Sequence, residues 1–145
     1  MKAWLITNEF LNTTKFTELT TWLINSAKKH KVQMEVITNA EVLAVVGGSE
    51  KKKDDIDFVL FWDKDVRLAA YLESLGYRVY NSSEAIDDCD DKSRTHLKLF
   101  KAGLPMPKTI IAPMTYPNIG YTNYEFVRRV ENELGYPMVV KEITV

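Results

Sequence analysis

Residues 56–62, Ile56-Asp57-Phe58-Val59-Leu60-Phe61-Trp62, decide how the chain is built. From Phe58 to Trp62 the run is apolar at every position, and a strand apolar on both faces needs cover on both. Such a strand lies inside a sheet. Upstream, Ala3-Trp4-Leu5-Ile6 is a second short apolar run, closed by Thr7-Asn8, and reads as another buried strand. Between the two, Phe16, Leu19, Thr20, Leu23, Ile24 and Ala27 recur at helical spacing and make one continuous face. That helix ends in Lys28-Lys29-His30-Lys31, positive charge at the negative end of the helix dipole. Residues 32–38 alternate and predict a half-buried strand, while 41–46 fits either helix or strand. Gly47-Gly48-Ser49 and the polar run after it read as a loop. Downstream, Asp63 is expected to cap a helix over 64–75 that Gly76 stops, and 77–80 to form a further strand. Strands alternating with helices through short links predict an α/β fold, a parallel sheet flanked by helices. Trp4, Trp22, Phe58, Phe61 and Trp62 are expected in its core.

Beyond Tyr80 the pattern changes. Ser82-Ser83-Glu84 opens a short helix, and the acidic stretch Asp87-Asp88-Cys89-Asp90-Asp91 precedes a longer one that Gly103 ends. Leu104-Pro105-Met106-Pro107 enforces extended backbone into an expected strand at 108–112. Thr122 with Glu125 has the spacing of a capping box for a helix turning Phe126, Val127, Val130 and Leu134 inward. Pro137 then leads into an expected buried strand at 138–141. A domain boundary is expected at residue 88, dividing 1–88 from 89–145.

The 145 residues carry nineteen Lys+Arg against twenty Asp+Glu, so no basic excess exists to neutralise a nucleic-acid backbone. A single cysteine, Cys89, excludes a disulfide framework and a cysteine zinc cage. The N-terminus turns polar too soon for a signal peptide, and no apolar run is long enough to span a membrane. The expectation is a cytoplasmic protein with neither nucleic-acid nor membrane partners. Of the six glycines, those at 76, 103 and 135 sit where helices need a left-handed cap. Apart from the lone Gly120, only Gly47-Gly48 is left for phosphate binding, and charge rather than a helix follows it, so the chain contains no dinucleotide fingerprint or P-loop.

Two lysines stand out. Lys92 falls in the first turn of a helix, where exposed amides already make the surroundings positive. Either Asp90 and Asp91 neutralise it, or an anion such as phosphate is drawn to it and the amides together. Lys141 follows three apolar residues, and either reaches water from a strand end or points a charge into a cleft. Asn8 and Glu9 close the first strand at the carboxyl end, where open parallel sheets bind ligands. They are candidates for substrate contact, with a plain turn as the other reading. His96 is expected to pack with Leu97 and Phe100.

The string Asp91-Lys92-Ser93-Arg94, then Gly103-Leu104-Pro105-Met106-Pro107, then Tyr136-Pro137-Met138-Val139-Val140-Lys141 resembles the ATP-grasp enzymes, in order and in spacing. The RimK-like glutamate ligases are the group it is most similar to, and D-alanine–D-alanine ligases share the skeleton. The resemblance implies a Rossmann-like pre-ATP-grasp domain over 1–88, followed by an incomplete α+β ATP-grasp subdomain over 89–145. In the family a glycine-rich phosphate loop and magnesium ligands follow the strand lysine. Here only Glu142-Ile143-Thr144-Val145 follows, so the chain reads as the N-terminal portion of a longer enzyme, inactive by itself.

The implied activity is that of an ATP-dependent carboxylate–amine ligase, forming an amide through an acylphosphate with ATP and Mg2+ as cofactors. Lys92 and Lys141, by the same resemblance, would contact ATP phosphates. The implied partners are an amino-acid or peptide substrate and further copies in a homo-oligomer. The alternative from another class is a non-catalytic α/β module binding a small ligand or a partner.

Overall fold

β1 (Lys2–Thr7) is the strand around which the sheet forms. In a computed structural model describing residues 1–11, 13–47, 55–120 and 123–143, it pairs in parallel on both sides. One neighbour is β2 (Gln33–Thr38) and the other β3 (Phe58–Phe61), which itself pairs with β4 (Val79–Tyr80). The order is β2-β1-β3-β4, all parallel, so the apolar run at 58–61 is an interior strand as its composition demands. Leu5 lies opposite Val36 on one side and Leu60 on the other.

Burial follows the two-residue period of the strand. Val59 and Phe61 are fully buried and join Ile6 in a cluster with Leu68, Ala69 and Leu72 of α2 (Val66–Ser74). Phe58 and Leu60, on the opposite face, are half-buried. α1 (Thr14–Lys29) presents the predicted stripe: Phe16, Leu19, Thr20, Leu23 and Ile24 are half-buried and Ala27 is buried. Trp22 falls well outside that stripe and is 65% exposed, so it is not a core residue. Trp62, one residue past β3, is 40% exposed and also lies outside the core.

Two local expectations change. Asp63 does not cap α2. The helix starts at Val66, and Asp65 accepts the Leu68 N–H at 3.0 Å. The Asp-Lys-Asp sequence offers two carboxylates, and the register of the first helical turn selects the second. At the other end Gly76 has φ +90°, and the N–H groups of Gly76 and Tyr77 bond Glu73 O and Leu72 O. Residues 41–46 are neither helix nor strand. The Glu41 carboxylate folds back onto the N–H (2.7 Å) and hydroxyl (3.0 Å) of Thr38, closing the end of β2 in a turn. The polar loop expected at 48–54 lies outside the described residues.

The chain divides into two compact units, Met1–Asp88 and Cys89–Val145. α3 (Ser83–Asp90) starts on Ser82, whose hydroxyl oxygen accepts the Ala85 N–H. α4 (Lys92–Lys101) ends where Gly103, at φ +70°, returns its N–H to Phe100 O. α5 (Glu125–Leu134) begins with Asn123 Oδ1 accepting the Glu125 N–H at 2.8 Å; Thr122, expected as its cap, lies outside the described residues. Phe126, Val130 and Leu134 form the half-buried face of α5, and Val127, beside it, is 48% exposed.

The strands expected at 108–112 and 138–141 do not form: both segments are irregular, and Val139 and Val140 are more than four-fifths exposed. Extended backbone becomes a strand only when a neighbour accepts its hydrogen bonds. Among the described residues every ladder belongs to β1–β4. Lys108 is held differently, its ammonium donating to Glu133 O at 3.0 Å and pairing with the Glu133 carboxylate.

Candidate functional site

Each unit carries one candidate region. In the first unit the chain runs from β1 to β2 on one side and then crosses to β3 on the other, so the strand order reverses between β1 and β3. Open parallel sheets bind ligands at the carboxyl ends flanking such a reversal. Asn8, Asn39 and Asp63 follow β1, β2 and β3 at that end. Asn8 Nδ2 donates to both Asp63 oxygens, at 3.0 and 3.2 Å, across the reversal. Asn39 Nδ2 donates to Asp63 Oδ2 at 3.2 Å, and the Lys64 N–H to Oδ1 at 2.7 Å.

The two asparagines use their oxygens on the turn after β1. Asn39 Oδ1 accepts the Glu9 N–H at 3.0 Å, and Asn8 Oδ1 the Phe10 N–H at 2.8 Å. Asn8 and Asp63 are half-buried, whereas Glu9 is exposed. Asn39 and Asp63 were not singled out by sequence reasoning as site residues, although each is among the first polar residues after a strand. That same signal points to Asn8 and Glu9.

In the second unit Asp91 caps α4, its carboxylate accepting the N–H groups of Ser93 (2.7 Å) and Arg94 (3.1 Å). The Thr95 N–H bonds Asp91 O, and the Lys92 N–H donates to Ile143 O at 2.9 Å. All four of these amides are therefore occupied, and an anion cannot use them together with Lys92 as the sequence alone allows. What remains for an anion is the ammonium group. The bond to Ile143 holds the segment carrying Lys141 against the start of α4. Lys92 is half-buried and Lys141 exposed, not set in a buried strand.

His96 Nδ1 lies 2.6 Å from Lys92 O, so the ring donates back to its own helix. Leu97 (49%) and Phe100 (73%) are exposed, so His96 is not packed with them in a core.

A solved structure described as the RimK domain protein ATP-grasp from Sphaerobacter thermophilus superposes on the whole of this chain and 51% of its own, with TM-score 0.70 and 19% identity. The chain has the fold of about half of that RimK domain protein. An uncharacterized Mycoplasma pneumoniae protein, the MG012 homolog, is 28% identical over 92% of this chain and 47% of its own length. Glutamate–LysW ligase ArgX of Sulfurisphaera tokodaii is 33% identical over 50% of this chain and 23% of its own. No family model matches. The chain thus spans about half the length, or less, of these relatives.

Within that fold, no group of three or more His, Cys, Asp or Glu side chains among the described residues is placed to hold a metal ion. No described helix is long and apolar enough to cross a membrane. The titration of Asp91 reports the integrity of the α4 start. The Ser93 hydroxyl, and after it the Arg94 amide, hold its carboxyl below the usual aspartate range. A depressed carboxyl stabilises the fold above its unfolded pKa, and that contribution is lost as pH falls through the folded value. In 13C-detected titrations Asp91 is expected to protonate below ordinary aspartates, and Ser93→Ala to raise its pKa towards theirs. An unchanged Asp91 titration in Ser93→Ala would contradict this hydrogen-bond assignment.

Proposed function

We propose that the chain contributes nucleotide-binding lysines and substrate-contacting residues to an ATP-dependent carboxylate–amine ligase that forms an amide bond, of the glutamate-ligating kind. The fold and the similarity to a glutamate–LysW ligase support this reading. The observation that carries it is the Lys92 N–H to Ile143 O bond, which holds two lysine-bearing segments far apart in sequence at one helix start. A cation in the first turn of a helix is unfavourable by about 0.3–1 kcal/mol, a cost that polyphosphate bound to its ammonium would offset.

In such a ligation ATP would supply the phosphoryl group, and magnesium would offset part of its negative charge. The residues described here offer no cluster for that metal, and no step is assigned to it. Lys92 and Lys141 bind and orient phosphate oxygens, with fixed positive charge aimed where negative charge develops. Asn8 and Glu9, at the carboxyl end of β1, meet the amino-acid or peptide substrate. The exposed apolar side chains of Met114, Ile119, Val139 and Val140 support association of copies into a homo-oligomer.

The test is titration of the chain with Mg-ATP, followed by amide chemical shifts. Residues 91–96 and 139–143 are expected to move. Lys92→Ala and Lys141→Ala should each weaken binding by roughly ten- to a hundredfold, the loss of a charged hydrogen bond worth about 1.5–3 kcal/mol. Lys28→Ala and Lys98→Ala should leave it unchanged. Unaltered affinity in Lys141→Ala would remove that residue from the site.

A further inference from the structure

β2 is an edge strand, laddered to β1 and to no other strand among the described residues. Its backbone groups alternate between two directions. Gln33 N–H donates to Met1 O, just before β1, and Asn39 N–H to Thr7 O at its end, each at 2.8 Å. The register between them is unbroken, so the N–H and carbonyl groups of Met34, Val36 and Thr38 face away from β1. The chain itself closes both ends of that outer row. Val32 N–H donates to Ala27 O at 3.0 Å, and Thr38 N–H to the Glu41 carboxylate at 2.7 Å. In the middle, Met34 and Val36 have no partner for their outward groups among the described residues.

An open row of this kind is a template for an added strand. Its length admits three residues. In antiparallel pairing the first and third exchange hydrogen bonds with Val36 and Met34, and the second lies opposite Glu35. Glu35 is exposed and has no hydrogen bond or ion pair among the described residues. Met34 and Val36 share the sheet face of Ala3 and Leu5, their partners in register, and so favour apolar residues beside them. Charge sets the direction. The exposed run Lys28-Lys29-His30-Lys31 precedes β2 and Glu41 follows it, so an antiparallel segment brings its C-terminal side to the lysines.

A second copy of β2 fits this edge poorly. Two copies pairing antiparallel use both open residues only where Met34 of one meets Val36 of the other. That register sets Glu35 directly opposite Glu35 of the second copy, and opposed like charges destabilise a cross-strand pair. Shifting the register brings Met34 or Val36 against Val32 or Thr38, whose N–H groups are already bonded.

We infer that the β2 edge binds an extended peptide segment of another protein by antiparallel strand addition. The segment carries a lysine or arginine between two apolar residues and an acidic residue on its C-terminal side. This surface lies at the outer edge of the sheet, away from the reversal between β1 and β3, and does not depend on the ligase reading.

The test is amide hydrogen exchange and a 15N-amide titration of the 145-residue chain with the peptide Ac-Thr-Val-Lys-Val-Thr-Glu-NH2. Without peptide, the Met34 and Val36 amides are expected to exchange faster than those of Glu35 and Ile37, which face β1. The peptide should shift Met34 and Val36 saturably and slow their exchange. The same peptide N-methylated at both valines keeps every charge and loses the two donors, and should do neither. With glutamate in place of its lysine the peptide should bind about fivefold more weakly, as a cross-strand charge pair changes sign. Glu35→Lys, a change at an exposed side chain, should reverse that preference.

No shift at Met34 and Val36 with the lysine peptide, or equal shifts with its N-methylated form, would overturn strand addition. Protection of both amides that grows with protein concentration alone would give the edge to a second copy and overturn the proposal as well. An unreversed preference in Glu35→Lys would remove Glu35, and the basic residue it selects, from the site.

Discussion

Phe61→Ala is expected to leave the first unit largely unfolded under mild denaturing conditions. Phe61 is fully buried in an interior strand and packs with Ile6 of β1 and Leu68 and Leu72 of α2, two other elements. Truncating a buried phenylalanine removes about 3–5 kcal/mol through lost transfer energy and the cavity left behind. A domain's whole stability is only about 5–15 kcal/mol, so the change takes a large part of it. Phe58→Ala, three residues earlier on the half-covered face, should cost clearly less. Urea titration followed by circular dichroism makes the comparison. A Phe61→Ala midpoint equal to that of wild type, or a larger loss from Phe58→Ala, would contradict the assignment of the covered face.

The second large effect concerns residues 89–145 expressed separately. They are expected to show no cooperative unfolding transition, whereas residues 1–88 should retain one. Among the described residues every buried side chain lies in the first unit, and none from 89 to 143 is buried. Ordering backbone costs about 1–2 kcal/mol per residue, and only burial of apolar area at about 25 cal/mol per Å2 can offset it. Leu97, Phe100, Leu104, Tyr124 and Val139 all remain substantially exposed, so that offset is not available. Thermal melts of the two pieces decide it: a sharp, reversible transition in 89–145 would show that its helices stabilise one another without further cover.

What the sequence determined by itself was local or periodic. The stripe on α1, the interior position of the 58–61 run, the stops at Gly76 and Gly103 and the start of α4 at Asp91 each depend on residues within a turn or two of one another. Helix caps and hydrophobic periods are short-range, which is why they are legible in a chain without coordinates. Lys92 and Lys141 stand out through motif spacing, and Asn8 and Glu9 through their place after β1, as candidates for the proposed site. Tertiary structure alone decided whatever needs a partner distant in sequence. Residues 138–141 have strand composition, but a strand exists only where another backbone accepts its bonds, and the described residues provide none. Asp63 reads locally as a helix cap, yet it is 55 residues from Asn8 and 24 from Asn39, and only the folded sheet brings their amides to its carboxylate. Trp22 and Trp62 read as core by size, but burial is set by what packs over a side chain, and nothing covers these two fully. The amides of α4 read as an anion site until Asp91 and Ile143 are seen to occupy them, because hydrogen-bond capacity is spent in three dimensions and not along the chain.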